Sequence, residues 1–181
     1  PWCLTIFLKE QLVFIKITRI INIFFIMSVE YLNFYNNLIR LTTNKNLYKG
    51  LKSQDSFSDR LILFLIHFAF FLKVFKKKEN TKILQEIYDF NFRQMELTIR
   101  EIGYGDQSIN KKMKEYINFF HFILLEIRLW DDIKQDEKEK KIASFLSNFE
   151  EINNLVEYFD DYNKELSKKT LKSYLKSVIS P

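Results

Sequence analysis

Proline stands only at positions 1 and 181, so the interior of the chain lacks the residue that most reliably breaks a helix. Glycine is almost as scarce. There are three, and two of them, Gly103 and Gly105, share the stretch REIGYGDQSINKKMK, residues 100–114. Punctuation this sparse points to helices joined by short polar turns. The length, 181 residues, suits one domain with a real core, and 47% hydrophobic content is too high for a disordered chain. The abundance of Phe, Ile, Lys and Asn is what A/T-rich codon usage produces and carries no functional message by itself. The single cysteine, Cys3, excludes an internal disulfide, and with His67 and His121 as the only histidines no familiar zinc site can be assembled.

The first methionine is Met27, and residues 1–26 are apolar but interrupted by Lys9, Glu10, Lys16 and Arg19. No run there approaches the roughly 18 residues of a membrane span. The charge order of a secretory signal is also missing. The expectation is an upstream or non-native extension over 1–26, with an interfacial amphipathic segment as the alternative, and a helical domain over 27–181. The extension holds three cations and one anion, so without it the net charge of +5 becomes +3. That is too mild to demand a nucleic-acid partner.

From Val29 the apolar spacing is helical. Tyr31, Phe34, Tyr35, Leu38 and Leu41 share a face, and Ser28 stands where a cap belongs. Residues 42–56 read as a polar turn region. The next helix starts at Ser58 or Asp59, and its core, Leu61–Leu72, is apolar all round apart from His67. Such a helix is central in a bundle. His67 is read first as a satisfied core or groove histidine. Lys76, Lys77 and Lys78 end the helix, where positive charge suits the dipole. A helix over 79–102 carries the stripe Leu84, Tyr88, Phe92, Met95, Ile99 and Ile102. Another over 108–131 carries Ile109, Met113, Tyr116, Phe120, Ile123, Ile127 and Trp130. The short loop between them predicts an antiparallel pair. A charged link, residues 131–141, leads into a helix with Ile142, Phe145, Phe149, Ile152, Val156 and Phe159 on one face. A last short helix holds Leu166, Leu171, Leu175 and Val178. The fold class is therefore all-α, a single-domain multi-helix bundle with a short Gly-x-Gly-Asp turn between two central antiparallel helices.

The glycine turn is not a phosphate cradle. It lacks the third glycine of a dinucleotide fingerprint and the Gly-Lys-Ser/Thr of a P-loop, and a helix precedes it instead of a strand. As a turn it is well explained. Gly103 suits a left-handed helix end, Gly105 permits the reversal, and Asp106 or Ser108 is placed to cap the next helix. The lysines are less well explained. Lys111, Lys112 and Lys114 stand early in a helix, where the dipole disfavours cations by roughly 0.3–1 kcal/mol each near the end. Arg100 adds a fourth cation, and Glu101, Asp106 and Glu115 offset part of the charge. A solvated loop and a basic surface for an anionic partner both remain open. No enzyme site emerges. Asp59, His67, Glu101, Asp106 and His121 are scattered, and neither a nucleophile elbow nor a Glu-x-x-His repeat occurs.

The stretch EIGYGDQSINKKMKEYINFF resembles the signature of the ubiquinol–cytochrome c chaperone family, which has a Leu-Arg-Glu-Met-Gly-Val-Gly-Asp-like turn, a basic helix and an aromatic pair. Arg100, Glu101, Gly103, Gly105, Asp106, Lys111, Lys112, Met113 and Lys114 carry the match. Upstream, Arg60 and His67 resemble the family's arginine and the histidine seven residues on. The resemblance spans roughly Phe57 to Trp130, and more loosely from Met27. It departs at residues 119–122, FFHF, where the family often has an aromatic-Gly-Arg step. The resemblance implies an all-helical, non-enzymatic assembly chaperone without cofactors. Its implied client is newly made cytochrome b, for ubiquinol–cytochrome c reductase assembly. It implies a small helical partner for mitochondrial members, whose ribosome-exit role is not carried over. It places the protein at the inner membrane, on the cytoplasmic side in bacteria or the matrix side in mitochondria. The residues named above are then the partner-binding candidates, with peripheral contact to an anionic membrane and with Arg60 and His67 shaping a polar spot toward Asp106 or Glu101. The rival is an RNA- or ribosome-binding basic helical protein. It requires the clusters 76–78, 111–114 and 168–172 to form one continuous stripe.

Overall fold

The computed structural model describes residues 29–48, 50–51, 57–103 and 105–177, and of Asp106 and Gln107 the backbone alone. The extension expected over 1–26 lies outside the described residues, as do Ser28 and Val178. The elements are α1 (residues 29–42), a 3-10 turn Lys45–Tyr48, α2 (Phe57–Phe75), a 3-10 turn Lys78–Asn80, α3 (Thr81–Glu101), α4 (Asp106–Glu126), α5 (Gln135–Phe145), α6 (Ile152–Ser167) and α7 (Leu171–Lys176). Among the described residues there is no strand, only a single antiparallel bridge between Leu51 and Phe149.

The all-round apolar character of α2 makes it the axis. From Leu61 to Phe71 every residue except Ile62 is buried, and α2 packs against both α4 and α6. Phe68 stacks on Phe120 of α4, Phe70 lies parallel to Phe159 of α6, and Phe34 of α1 closes on Phe71 at 4.4 Å between ring centres. Each fully buried Phe or Leu contributes on the order of 1.5–3 kcal/mol of transfer free energy, so α2 carries much of the stability. A polar contact closes its end. Asn80 donates to the Phe75 carbonyl at 2.9 Å, satisfying a carbonyl that the helix leaves open, and in the 3-10 turn that follows Thr81 donates to the Lys78 carbonyl at 3.0 Å.

The expected α3–α4 pair is present, with Tyr88 and Phe92 of α3 against Phe120 of α4. Three expectations are corrected. Ile102, placed on the buried stripe, is 53% exposed, because it caps α3 beyond its last full turn. The helix expected to reach 131 stops at Glu126. Ile127 and Trp130 stay buried, but residues 127–133 are turns. Their polar groups are committed elsewhere: Trp130 donates its indole N–H to Asp160 at 2.7 Å, and Asp131 receives Lys73 and Asn163. Finally, the stripe from Ile142 to Phe159 belongs to two helices. Between them the Glu150 amide donates to the Gly50 carbonyl at 2.7 Å, and Asn148 donates to Asp59 at 3.1 Å. A backbone so engaged by a distant segment cannot continue the helix. Gly50 is what allows that approach. A Cβ there would stand 2.6 Å from the Glu151 Cβ and 2.8 Å from its amide nitrogen.

Candidate functional site

The candidate surface begins at the glycine turn. Gly103 has φ +100°, the left-handed region, and is alone in that region among the described residues. Its amide closes onto Arg100 at 3.0 Å, ending α3. Gly105 differs from expectation. Its φ of −72° and ψ of 155° are open to any residue, and a Cβ there would meet nothing within 4 Å. Its role is that of N-cap, and its carbonyl receives the amides of Ser108 and Ile109, each at 3.0 Å. The expected side-chain cap from Ser108 is not made. That hydroxyl donates back to the Gly105 carbonyl at 2.7 Å. Asp106, the other cap candidate, has a side chain outside the described atoms.

The cations around the turn are partly compensated. Arg100 donates through Nε and Nη2 to Glu96, at 3.1 and 2.8 Å, one helical turn back. Lys112 lies 3.9 Å from Glu115. Lys111 and Lys114 are exposed and form no ion pair with a described carboxylate. Glu101 is exposed on the last turn of α3. Met113 is not a surface group; it is 9% exposed and packs into the core. Arg60 is exposed on the first turn of α2.

His67 lies inside the protein, fully buried, so it cannot meet a partner directly. Its Nδ1 is 2.7 Å from the Leu63 carbonyl and its Nε2 2.8 Å from the Tyr158 hydroxyl. A carbonyl only accepts, so the proton sits on Nδ1, and Nε2 accepts from Tyr158. The ring meets Tyr158, Phe159 and Tyr162 edge-on. Burial, against a smaller opposing effect of the Leu63 bond, lowers its pKa to about 4. His67 is thus a neutral core histidine that ties α2 to α6. Its polar partners are Leu63 and Tyr158, in place of the expected spot with Glu101 or Asp106.

A second polar centre holds the far end of α4, and sequence reasoning does not find it. Asp160 of α6 accepts from the Trp130 indole and from Lys138 at 2.8 Å, while Lys138 lies 5.3 Å from the Trp130 ring centre. Lys73 of α2 bonds Asp131, and buried Asn163 joins both. Burial works to raise the Asp131 carboxyl, but the bonds and charge of Lys73, with Asn163 and Lys138, outweigh it and hold it below its ordinary range. Four segments distant in sequence meet here, so no local motif announces the site.

The basic clusters do not form one stripe. Helix α3, 21 residues, puts about 30 Å between Lys76–Lys78 at its start and Lys111–Lys114 beside its end. The third cluster approaches the first instead. Lys169 lies 5.6 Å from the Tyr174 ring centre, and that ring packs on Phe75. No cluster of three metal-ligating side chains occurs among the described residues. Among those residues no helix is long and apolar enough to cross a membrane.

Comparison with curated proteins and with solved structures finds no match. Residues 49–130, the stretch that holds α2, α3, the glycine turn and α4, match the model of the family described as Ubiquinol-cytochrome C chaperone.

Proposed function

We propose that the protein is a non-enzymatic assembly chaperone that binds newly made cytochrome b and assists assembly of ubiquinol–cytochrome c reductase. The observation that carries this reading is the family match over 49–130, which covers the central helix and the hairpin packed on it. An assembly-chaperone role follows from that family. The cytochrome b client is the finer step. The chain supplies physical means for it: a rigid hairpin, a turn fixed by a left-handed glycine, and exposed lysines that a client or an anionic bilayer surface would meet. We place the contact at the turn end, with Lys111 and Lys114 as the charge, Lys112 and Arg100 beside them, and Glu101, Gly103, Gly105, Asp106, Met113, Arg60 and His67 shaping the surface or its support. We place the protein at the inner membrane, on the side where cytochrome b is made.

The test is genetic and spectroscopic. Host cells lacking the protein are assayed for the cytochrome b absorbance band and for ubiquinol–cytochrome c reductase activity. Loss of both, restored by the wild-type chain but not by a Lys111→Glu/Lys112→Glu/Lys114→Glu variant of equal abundance, is the expected result. Full assembly without the protein would overturn the function. Full rescue by the charge-reversed variant would overturn the assigned contact.

A further inference from the structure

The opposite end of the α3–α4 hairpin carries a feature that neither the family match nor the turn accounts for. A groove of about 680 Å³ opens between the C-terminal end of α2, the start of α3 and the C-terminal half of α4. Its floor is apolar, formed by Leu72, Leu84 and Leu124, with Tyr88 and His121 joined by a 3.1 Å hydrogen bond on one wall. Its rim is cationic, with Lys76 and Lys77 on one side and Arg128 on the other. No carboxylate lines it. Lys73, at its inner edge, is already bound by Asp131 and Asn163. Lys76, Lys77 and Arg128 are exposed and have no ion pair with a described carboxylate. This contrasts with the turn end, where Glu96 and Glu115 engage two of the cations. Leu125, at the mouth, is 68% exposed, the largest exposure among the big apolar side chains described.

We propose that this groove binds a single-chain anionic amphiphile, with the acyl chain along Leu72, Leu84, Leu124 and Leu125 and the anionic head between Lys76, Lys77 and Arg128. Two properties favour that occupant. The volume falls within the roughly 300–1,000 Å³ range of small-ligand sites. An apolar floor under uncompensated cations favours a ligand with a greasy body and a negative head, because neither half alone satisfies both surfaces. A nucleic acid would leave the leucines uncovered. A zwitterionic lipid would bring its own cation to the rim. The proposal concerns a different end of the molecule from the client contact and stands independently of it.

The experiment is calorimetric titration of the full chain with lysophosphatidic acid and with lysophosphatidylcholine of the same acyl length, both below micelle formation. Saturable one-to-one binding of the anionic lipid, at least tenfold tighter than the choline lipid, is expected. A Lys76→Gln/Lys77→Gln/Arg128→Gln variant loses that preference, and a Lys76→Arg/Lys77→Arg/Arg128→Lys variant keeps it. Leu125→Glu, a substitution at an exposed position, weakens binding of the anionic lipid at least tenfold. Equal affinity for the two lipids, or an unchanged preference in the glutamine variant, overturns the proposal. Binding only to anionic vesicles, with no saturable monomer binding, also overturns it and points to a bilayer-surface contact.

Discussion

The two ends of the α3–α4 hairpin are built on different principles. The turn end is local: one left-handed glycine, one backbone cap, and cations partly answered by carboxylates three or four residues away. The far end is assembled from α2, the turns after α4, and α5 and α6, through Lys73, Trp130, Asp131, Lys138, Asp160 and Asn163. The local end keeps its conformation by chain geometry. The assembled end keeps it by tertiary contacts. The first should tolerate loss of side chains but not of Gly103, and the second the reverse.

The largest effect is expected at the assembled end. Trp130→Ala removes a fully buried indole that packs edge-on to Phe70 and anchors Asp160, and should cost roughly 3–5 kcal/mol in a denaturant titration. A loss under about 1 kcal/mol would mean that the far end is not held as described.

Acid comes next, acting between the two ends at His67. Its folded pKa, about 4, lies below the ordinary 6.5, so between these values the unfolded chain binds the extra proton. The stabilisation is complete above the unfolded value and is lost as pH falls toward 4, by roughly 3 kcal/mol at about 1.4 kcal/mol per unit. The Asp131 window lies lower, below its ordinary 3.8, so the two do not overlap. Stability measured from pH 7 to 4 should show this slope, and His67→Phe should flatten it. An equal slope in that variant would assign the proton to another group.

At the turn, Gly103→Val should cost about 1–3 kcal/mol, since φ +100° is strained for a β-branched residue even though space is open. Gly105→Ala should stay within about 0.5 kcal/mol of wild type, because its backbone is ordinary and its surroundings are empty. Equal costs at the two glycines would remove the asymmetry between them. Smallest of all, Lys111→Glu with Lys114→Glu should leave thermal stability nearly unchanged, since neither lysine holds a described carboxylate. A marked drop would show that these charges serve the fold and not a partner.

The sequence made the helices legible wherever periodicity and burial coincide, as in Leu84, Phe92, Met95 and Ile99 of α3, and it made α2 legible as the axis from its unbroken apolar run. It also placed Gly103 correctly, because a left-handed helix end has a residue-level signature. It failed where a partner distant in sequence decides. Leu146 to Glu151 keeps a helical apolar spacing but is drawn out of helix by Gly50 and Asp59. Gly50 itself resembles any loop glycine until Glu151 is seen against it. Gly105 reads in the sequence as the residue that permits the reversal, although its backbone makes no such demand. At the candidate site the turn was legible and the groove was not, since its floor and rim come from three helices whose side chains meet only in the folded bundle.

The central claim concerns the client, and the most direct measurement is photo-crosslinking in the native host with a crosslinker at exposed Lys111 during pulse-labelling of membrane protein synthesis. The account predicts a labelled adduct containing newly made cytochrome b. The adduct should appear early in the chase, decline as ubiquinol–cytochrome c reductase matures, and weaken when Lys112 and Lys114 are changed to glutamate. Adducts with RNA or ribosomal proteins instead, and none with cytochrome b at any point of the chase, would contradict it.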